Sequence, residues 1–153
     1  MNMTIEIIKG DLLKAFANDE INSMVHCCNM QHVMGAGIAK KIKSKYQQAY
    51  TADAVWYYAE DPEYSHMSLA CIEANKYIVN IYGQRYYGVN YKHLNEEFLR
   101  TGLMQLAKFS WSNGDQIGIP YAMGCGLAGG DWKVVLKIIK EVFINPKVNI
   151  YRL

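Results

Sequence analysis

Two stretches of the chain carry residue types suited to holding an anion. The first is His26-Cys27-Cys28-Asn29, followed by Met34-Gly35-Ala36-Gly37-Ile38-Ala39. The second is Ile119-Pro120-Tyr121-Ala122-Met123-Gly124-Cys125-Gly126-Leu127-Ala128-Gly129-Gly130-Asp131-Trp132. Each is an apolar run, then glycines, then a helical pattern. Glycine lets backbone approach a ligand closely and take a positive φ. A helix N-terminus adds unpaired N–H groups and a potential that favours negative charge. Two such loops at the carboxyl ends of strands could face one crevice and hold a diphosphate between them. No GxxxxGK[ST] occurs, and GAGIAK lacks the third glycine of a dinucleotide fingerprint. Either loop alone reads equally as a tight turn without a ligand. Their pairing in one short chain is what points to a site.

Other polar side chains fall beside these loops. Asp11 follows Gly10 after an apolar run. It can cap a helix starting at Leu12, or accept a hydrogen bond from the amino group of a base. Asn29 can both donate and accept, which suits a sugar hydroxyl, and Gln84 can do likewise. Asp131 reads first as a helix cap and second as an acid–base group. His26 is the other acid–base candidate, although a strand histidine is more often buried and inert. Most of the twelve tyrosines serve amphipathic packing. Tyr82, Tyr86, Tyr87 and Tyr121 fall near the expected crevice and could stack on a ligand.

Four cysteines and four histidines are present, with no CxxC pair and no zinc-ligand spacing. No metal and no cofactor are expected, and the thiols read as reduced groups in a cytoplasmic protein. Sixteen basic residues oppose fourteen acidic ones, a net charge of +2, which excludes nucleic-acid binding by bulk electrostatics. Lys40, Lys41, Lys43 and Lys45 read as a solvated helix face. No apolar run approaches the ~18 residues needed to cross a bilayer, and the first ten residues lack a signal-peptide pattern. The expectation is a cytoplasmic monomer that meets neither membrane nor nucleic acid directly. At 153 residues and 51% apolar composition, residues 1–153 suffice for one domain with a sizeable core.

The elements that must position these residues alternate along the chain. Met3–Lys9 reads as a strand, with a short helix from Leu12. Ser23–Cys28 is a second strand, and a helix runs from about Ile38 to Tyr50, with Ala52–Tyr58 helical beyond it. Asp61-Pro62 marks a turn. Ser68–Ala74 and Tyr77–Tyr82 read as a hairpin about Asn75-Lys76, and Gly83–Gly88 as a loop. Tyr91–Trp111 has helical periodicity, stopped by Ser112–Asp115. Gln116–Tyr121 is a strand, Trp132–Phe143 a helix and Val148–Leu153 a final strand. This alternation predicts an α/β fold with a mostly parallel, mixed sheet covered on both faces.

The order Lys9-Gly10-Asp11-Leu12, His26-x-x-Asn29, Met34-Gly35-Ala36-Gly37-Ile38-Ala39, Ile119-Pro120-x-x-x-Gly124-Cys125-Gly126-Leu127 and Tyr151-x-Leu153 resembles the macrodomain family. The likeness is to the branch containing the terminal ADP-ribose protein glycohydrolase and small phage and bacterial homologues. It implies a three-layer α/β/α sandwich around a mixed sheet of about six strands, and ADP-ribose as ligand. It places Asp11 and Leu12 at the adenine, and Gly35, Ala36, Gly37 and Ile38 at the first phosphate loop, with Met34 just before it as a further ligand-binding candidate. Gly124, Cys125, Gly126, Leu127 and Ala128 fall at the second, and Pro120 and Tyr121 before it are further ligand-binding candidates. Asn29 falls at the distal ribose, and Tyr151 and Leu153 at the adenosine; Tyr82 and Gln84 remain ligand-binding candidates from the reading of the residues alone.

The resemblance also exposes departures. That glycohydrolase uses a lysine after the hairpin, where Gly83 or Gln84 stands here, and an aspartate after GCGL, where Ala128 stands. A lysine–imine route would lose its nucleophile and its acid. Other branches carry a histidine where Met34 stands. The implied function is binding of ADP-ribose and processing of a derivative at the distal ribose C1″, as an ADP-ribose 1″-phosphate phosphatase or an ADP-ribosyl hydrolase. The candidate catalytic groups are Asn29, Gln84, His26 and Asp131. The alternative is a non-catalytic module that binds ADP-ribose or ADP-ribosylated targets.

Overall fold

The computed structural model describes residues 5–59, 65–88, 92–113, 116–126 and 128–153. The elements run β1 (Ile5–Lys9), α1 (Leu12–Ala17), β2 (Ser23–Asn29), α2 (Gly37–Lys45), α3 (Gln47–Tyr57), β3 (Met67–Glu73), β4 (Lys76–Gln84), α4 (Glu96–Asn113), β5 (Gln116–Pro120), α5 (Trp132–Val142) and β6 (Lys147–Arg152). The strands form one six-stranded sheet in the order β1-β6-β5-β2-β4-β3. Every pairing is parallel except the β3–β4 hairpin. The sheet is therefore mixed and mostly parallel.

Alternation along the strands sends neighbouring side chains to opposite faces. Val25, Val79, Ile81, Ile117, Ile119, Val148 and Ile150 point to one face. There Leu99, Leu103 and Leu106 of α4 cover them with Val135, Ile138 and Ile139 of α5. Met24, Ile78 and Tyr151 point to the other, under Leu12, Ala15 and Phe16 of α1, Ile42 of α2 and Ala49 of α3. The result is a three-layer α/β/α sandwich.

Several boundaries differ from the pattern read in the sequence. The helix expected from about Ile38 to Tyr50 is two helices broken at Tyr46, whose backbone leaves the helical region (φ −132°, ψ 84°). The Tyr46 ring packs edge-on against Phe16 at 5.3 Å, which ties the break to α1. Residues 83 and 84, expected in a loop, extend β4, because Gln84 stays in register with Asn29 across a bulge after Cys28. Gly83 is compact there for a reason: a Cβ would lie 2.6 Å from the Cys27 sulfur. Helix α4 begins at Glu96 rather than Tyr91. Leu94 is held in a bridge to Gln84, and Asn95 Oδ1 accepts from the Phe98 amide at 3.1 Å. The hairpin turns through Asn75, which sits in the left-handed region (φ 58°), where asparagine is tolerated. The expected strand start at residues 3 and 4, the Asp61-Pro62 turn, Tyr91 and the Gly114-Asp115 stop lie outside the described residues.

Candidate ligand-binding cleft

The carboxyl ends of the parallel strands open into a cleft of about 850 Å³. Open parallel sheets place ligands there because successive loops diverge from the strand ends. Gly10, Asp11 and Leu12 enter after β1; Cys27, Cys28 and Asn29 end β2; Gln84 ends β4. Pro120 and Tyr121 end β5, and Tyr151, Arg152 and Leu153 end β6. Gly35, Ala36, Gly37 and Ile38 form one wall at the start of α2. Gly124, Gly126 and Ala128 belong to the second glycine loop in the same cleft. The two glycine-rich loops thus share a single cavity, although nearly ninety residues of sequence separate them.

Local bonding fixes each polar side chain. Asp11 Oδ1 accepts from the Lys14 amide at 3.1 Å, capping α1, while the residue also lines the cleft. The capping and cleft-facing readings of Asp11 are therefore compatible. Asn29 Oδ1 accepts from the amides of Gln31 (2.9 Å) and Val33 (3.4 Å), and its Nδ2 donates to the Val33 carbonyl (2.8 Å). The side chain staples the loop that follows β2, a task the sequence reading did not give it. Gln84 Nε2 donates to the Tyr86 carbonyl at 2.8 Å. Arg152 holds its guanidinium over the Tyr121 ring, 4.6 Å from the centroid.

Six side chains singled out in the sequence stand elsewhere, the first being Tyr86, which is exposed to solvent outside the cleft lining. His26 is fully buried below the cleft, its Nε2 2.6 Å from Asn80 Oδ1. Tyr82 is also fully buried, stacked on Trp56 at 3.7 Å, so it cannot stack on a ligand. Both lie on strands that run further than expected, which sets them deeper. Met34 turns into a small apolar cluster with Cys28, Met30, Trp56 and Tyr82. Cys125 points its sulfur at the Met123 carbonyl, 3.4 Å away, outside the cleft lining. Asp131 caps α5 by accepting from the Lys133 amide at 2.9 Å and is exposed away from the cleft. Leu127 lies outside the described residues.

The lining includes Tyr87, as expected, and residues that sequence reasoning missed: Cys27, Cys28, Val33, Lys41 and Arg152 among them. Nothing in composition marks these; they follow from strand depth and loop path. Burial pushes the Cys27 thiol up to about 12 and the Cys28 thiol well above its ordinary value. Neither is a thiolate at neutral pH, so neither is a ready nucleophile. Among the described residues, no group of three His, Cys, Asp or Glu side chains is placed to hold a metal ion. Among them too, no helix is long and apolar enough to cross a membrane.

Burial lowers His26 to about 4, outweighing the opposing Asn80 bond and Asp53 charge. An unfolded histidine titrates near 6.5, so between pH 6.5 and 4 the unfolded chain binds a proton that the folded one refuses. Stability falls as the pH falls through that window, by roughly 3 kcal/mol from this residue. Urea unfolding at pH 7 and 4.5 should show that loss, reduced in His26→Gln. An equal loss in both proteins would count against the assignment.

No protein-family model matches the chain. ADP-ribose glycohydrolase OARD1 of Bos taurus is 30% identical over 156 aligned residues, covering 97% of this chain and 91% of that one. A Bacteroides thetaiotaomicron protein of unknown function superposes with a TM-score of 0.84 at 26% identity over the whole of both chains. The macrodomain protein of Streptomyces coelicolor superposes with a TM-score of 0.77 at 21% identity, covering 97% and 99%. The α/β/α sandwich described above is the fold that these two solved structures share with the chain. The chain belongs to the macrodomain family.

Proposed function

We propose that this protein binds ADP-ribose in the cleft and hydrolyses an ADP-ribose derivative at the distal ribose C1″. The observation that carries the reading is the convergence of both glycine loops on one cavity, with Asp11 at one end and Asn29 and Gln84 at the other. In this reading adenosine lies against Asp11, Leu12, Tyr151 and Leu153. The diphosphate sits between Gly35–Ile38 and the 124–128 loop, where backbone amides and the α2 N-terminus favour negative charge. The distal ribose reaches Asn29 and Gln84. The relative named as an ADP-ribose glycohydrolase supports the ligand and the reaction class. The leaving group at C1″, a phosphate or an ADP-ribosylated acceptor, is the finer part of the proposal.

Calorimetric titration with ADP-ribose tests binding. Single-turnover assays with ADP-ribose 1″-phosphate and with ester-linked ADP-ribose test turnover. Asn29 staples its own loop, so Asn29→Ala should weaken affinity and rate together. Gln84→Ala should separate them: losing a group that positions water costs on the order of tenfold in rate, with affinity nearly unchanged. Parallel loss of both in Gln84→Ala would remove it from the chemistry.

One observation favours a binding module without turnover. The charged side chains among the described lining residues are Asp11, Lys41 and Arg152. Asp11 and Arg152 stand at the β1–β6 end, far along the cleft from Asn29 and Gln84, and Lys41 is on α2. Wild-type turnover no faster than that of Asn29→Ala would leave binding alone.

A further inference from the structure

His32 sits in the loop between β2 and α2 and does not line the cleft. Its backbone is left-handed (φ 58°), a conformation that non-glycine residues adopt only when their surroundings hold them there. The surroundings are visible. Its imidazole stacks on Tyr50 at 4.2 Å and Tyr57 at 5.7 Å, both from α3. Nδ1 lies 2.7 Å from Oδ2 of Asp53, a carboxylate whose side chain is only 1% exposed.

The direction of that bond can be worked out from the core outward. Asn80 Nδ2 faces the Ala49 carbonyl at 3.0 Å, which can only accept, so the amide orientation is fixed. Asn80 Nδ2 also donates to Ser68 Oγ at 3.0 Å. Tyr82 donates its hydroxyl hydrogen to Asp53 Oδ1 at 2.8 Å. Its oxygen therefore accepts from Ser68, 2.8 Å away. Burial keeps the Tyr82 phenol protonated by pushing it well up. Every hydrogen in this series points toward the Asp53 carboxylate. Its remaining oxygen accepts from His32 Nδ1–H, which closes the series at the loop.

The consequence falls on the next residues. Val33, Gly35, Ala36 and Gly37 line the cleft directly after His32. Asn29 ties the loop from β2 through Val33. His32 ties it from α3 through Asp53. We propose that His32 is a positioning residue of the cleft: clamped by Asp53, Tyr50 and Tyr57, it sets the 33–37 backbone against which a ligand's diphosphate rests. This rests on the reading of the cleft as an ADP-ribose site. His32 does not touch the ligand, so the effect is confined to the part of the ligand that its loop contacts.

The test compares two ligands and two variants. His32→Gly keeps the left-handed backbone without strain but removes the clamp. His32→Asn tolerates the same backbone, and its amide nitrogen takes the place of Nδ1, so it can still donate to Asp53. Affinities for ADP-ribose and for adenosine, which lacks the diphosphate, are measured by titration. His32→Gly should weaken ADP-ribose about tenfold, the scale of one lost positioning contact. Adenosine affinity should stay within about twofold, and His32→Asn should restore ADP-ribose binding to nearly the wild-type value. Unaltered ADP-ribose affinity in His32→Gly would overturn the inference. So would equal loss of both ligands, which would make His32 a support of the whole fold, or failure of His32→Asn to recover. Wild-type protein that binds no ADP-ribose would instead overturn the reading of the cleft itself.

Discussion

Gly37→Glu is expected to weaken ADP-ribose binding about a hundredfold while leaving the protein folded. Gly37 lines the cleft at the first turn of α2, and a Cβ placed there meets nothing within 4 Å. The fold has room for the side chain; its backbone is left-handed (φ 57°), which costs a non-glycine residue about 1 kcal/mol. The carboxylate would compete with the diphosphate for the same helix N-terminus. Like charges about 5 Å apart at an effective dielectric of about 20 repel by about 3 kcal/mol, which is two decades of affinity. The backbone strain is smaller than this and acts on stability instead. Calorimetry reads the first effect and thermal unfolding the second. Binding unchanged in Gly37→Glu would place the diphosphate elsewhere.

Gly102→Val should cost the fold about 3 kcal/mol, enough to lower Tm by about 6–12 °C in a chain of this size. Gly102 lies inside α4, where exchanging glycine for a better helix former would ordinarily gain up to about 1 kcal/mol. Here a Cβ would lie 2.6 Å from the His66 carbonyl oxygen and 2.9 Å from Ile81 Cγ2. The first obstacle is backbone, which cannot swing aside as a side-chain end can. Overpacking therefore exceeds propensity, and α4 must lift from β3 and β4. Gly126→Ala is the matching control, since nothing lies within 4 Å of its Cβ position. Equal melting of Gly102→Val and wild type would mean that α4 does not pack as described.

Much of the molecule was legible from local chemistry. Asp11 and Asp131 cap helices because short acidic side chains reach the first free amides, and their positions in the sequence suffice to show it. The glycine loops announced themselves, and the hairpin about Asn75 followed from one turn residue. The misplacements of Tyr82 and His26 share a cause. Both sit on strands whose ends were drawn too early, and depth below a strand end is set by pairing with neighbours. The β2–β4 register, slipped at Cys28–Asn29, carries β4 on to Gln84 and buries Tyr82 against Trp56. No local propensity encodes that register. Lys41 and Arg152 entered the cleft for the same kind of reason. The break at Tyr46 depends on a contact with Phe16 thirty residues earlier, beyond the reach of periodicity. The staple made by Asn29 was hidden because its partners are main-chain atoms of its own loop.

The sheet order also bears on how the cleft comes into being. β1 pairs only with β6, Ile5 beside Val148 through Lys9 beside Arg152. The wall formed by Gly10, Asp11, Tyr151 and Leu153 thus joins the earliest and latest segments described. Among the described residues, closing so long a loop is entropically the most demanding contact, and topologies rich in such contacts fold slowly. The β2–β4–β3 unit and its glycine wall lie within residues 23–84, so their contacts span less of the sequence, and they can assemble without it. During refolding, the half of the cleft beside α2 should therefore mature first and the β1–β6 half last. A ligand spanning both halves would act as a clasp across that final seam, holding the β1–β6 pair to the half beside α2.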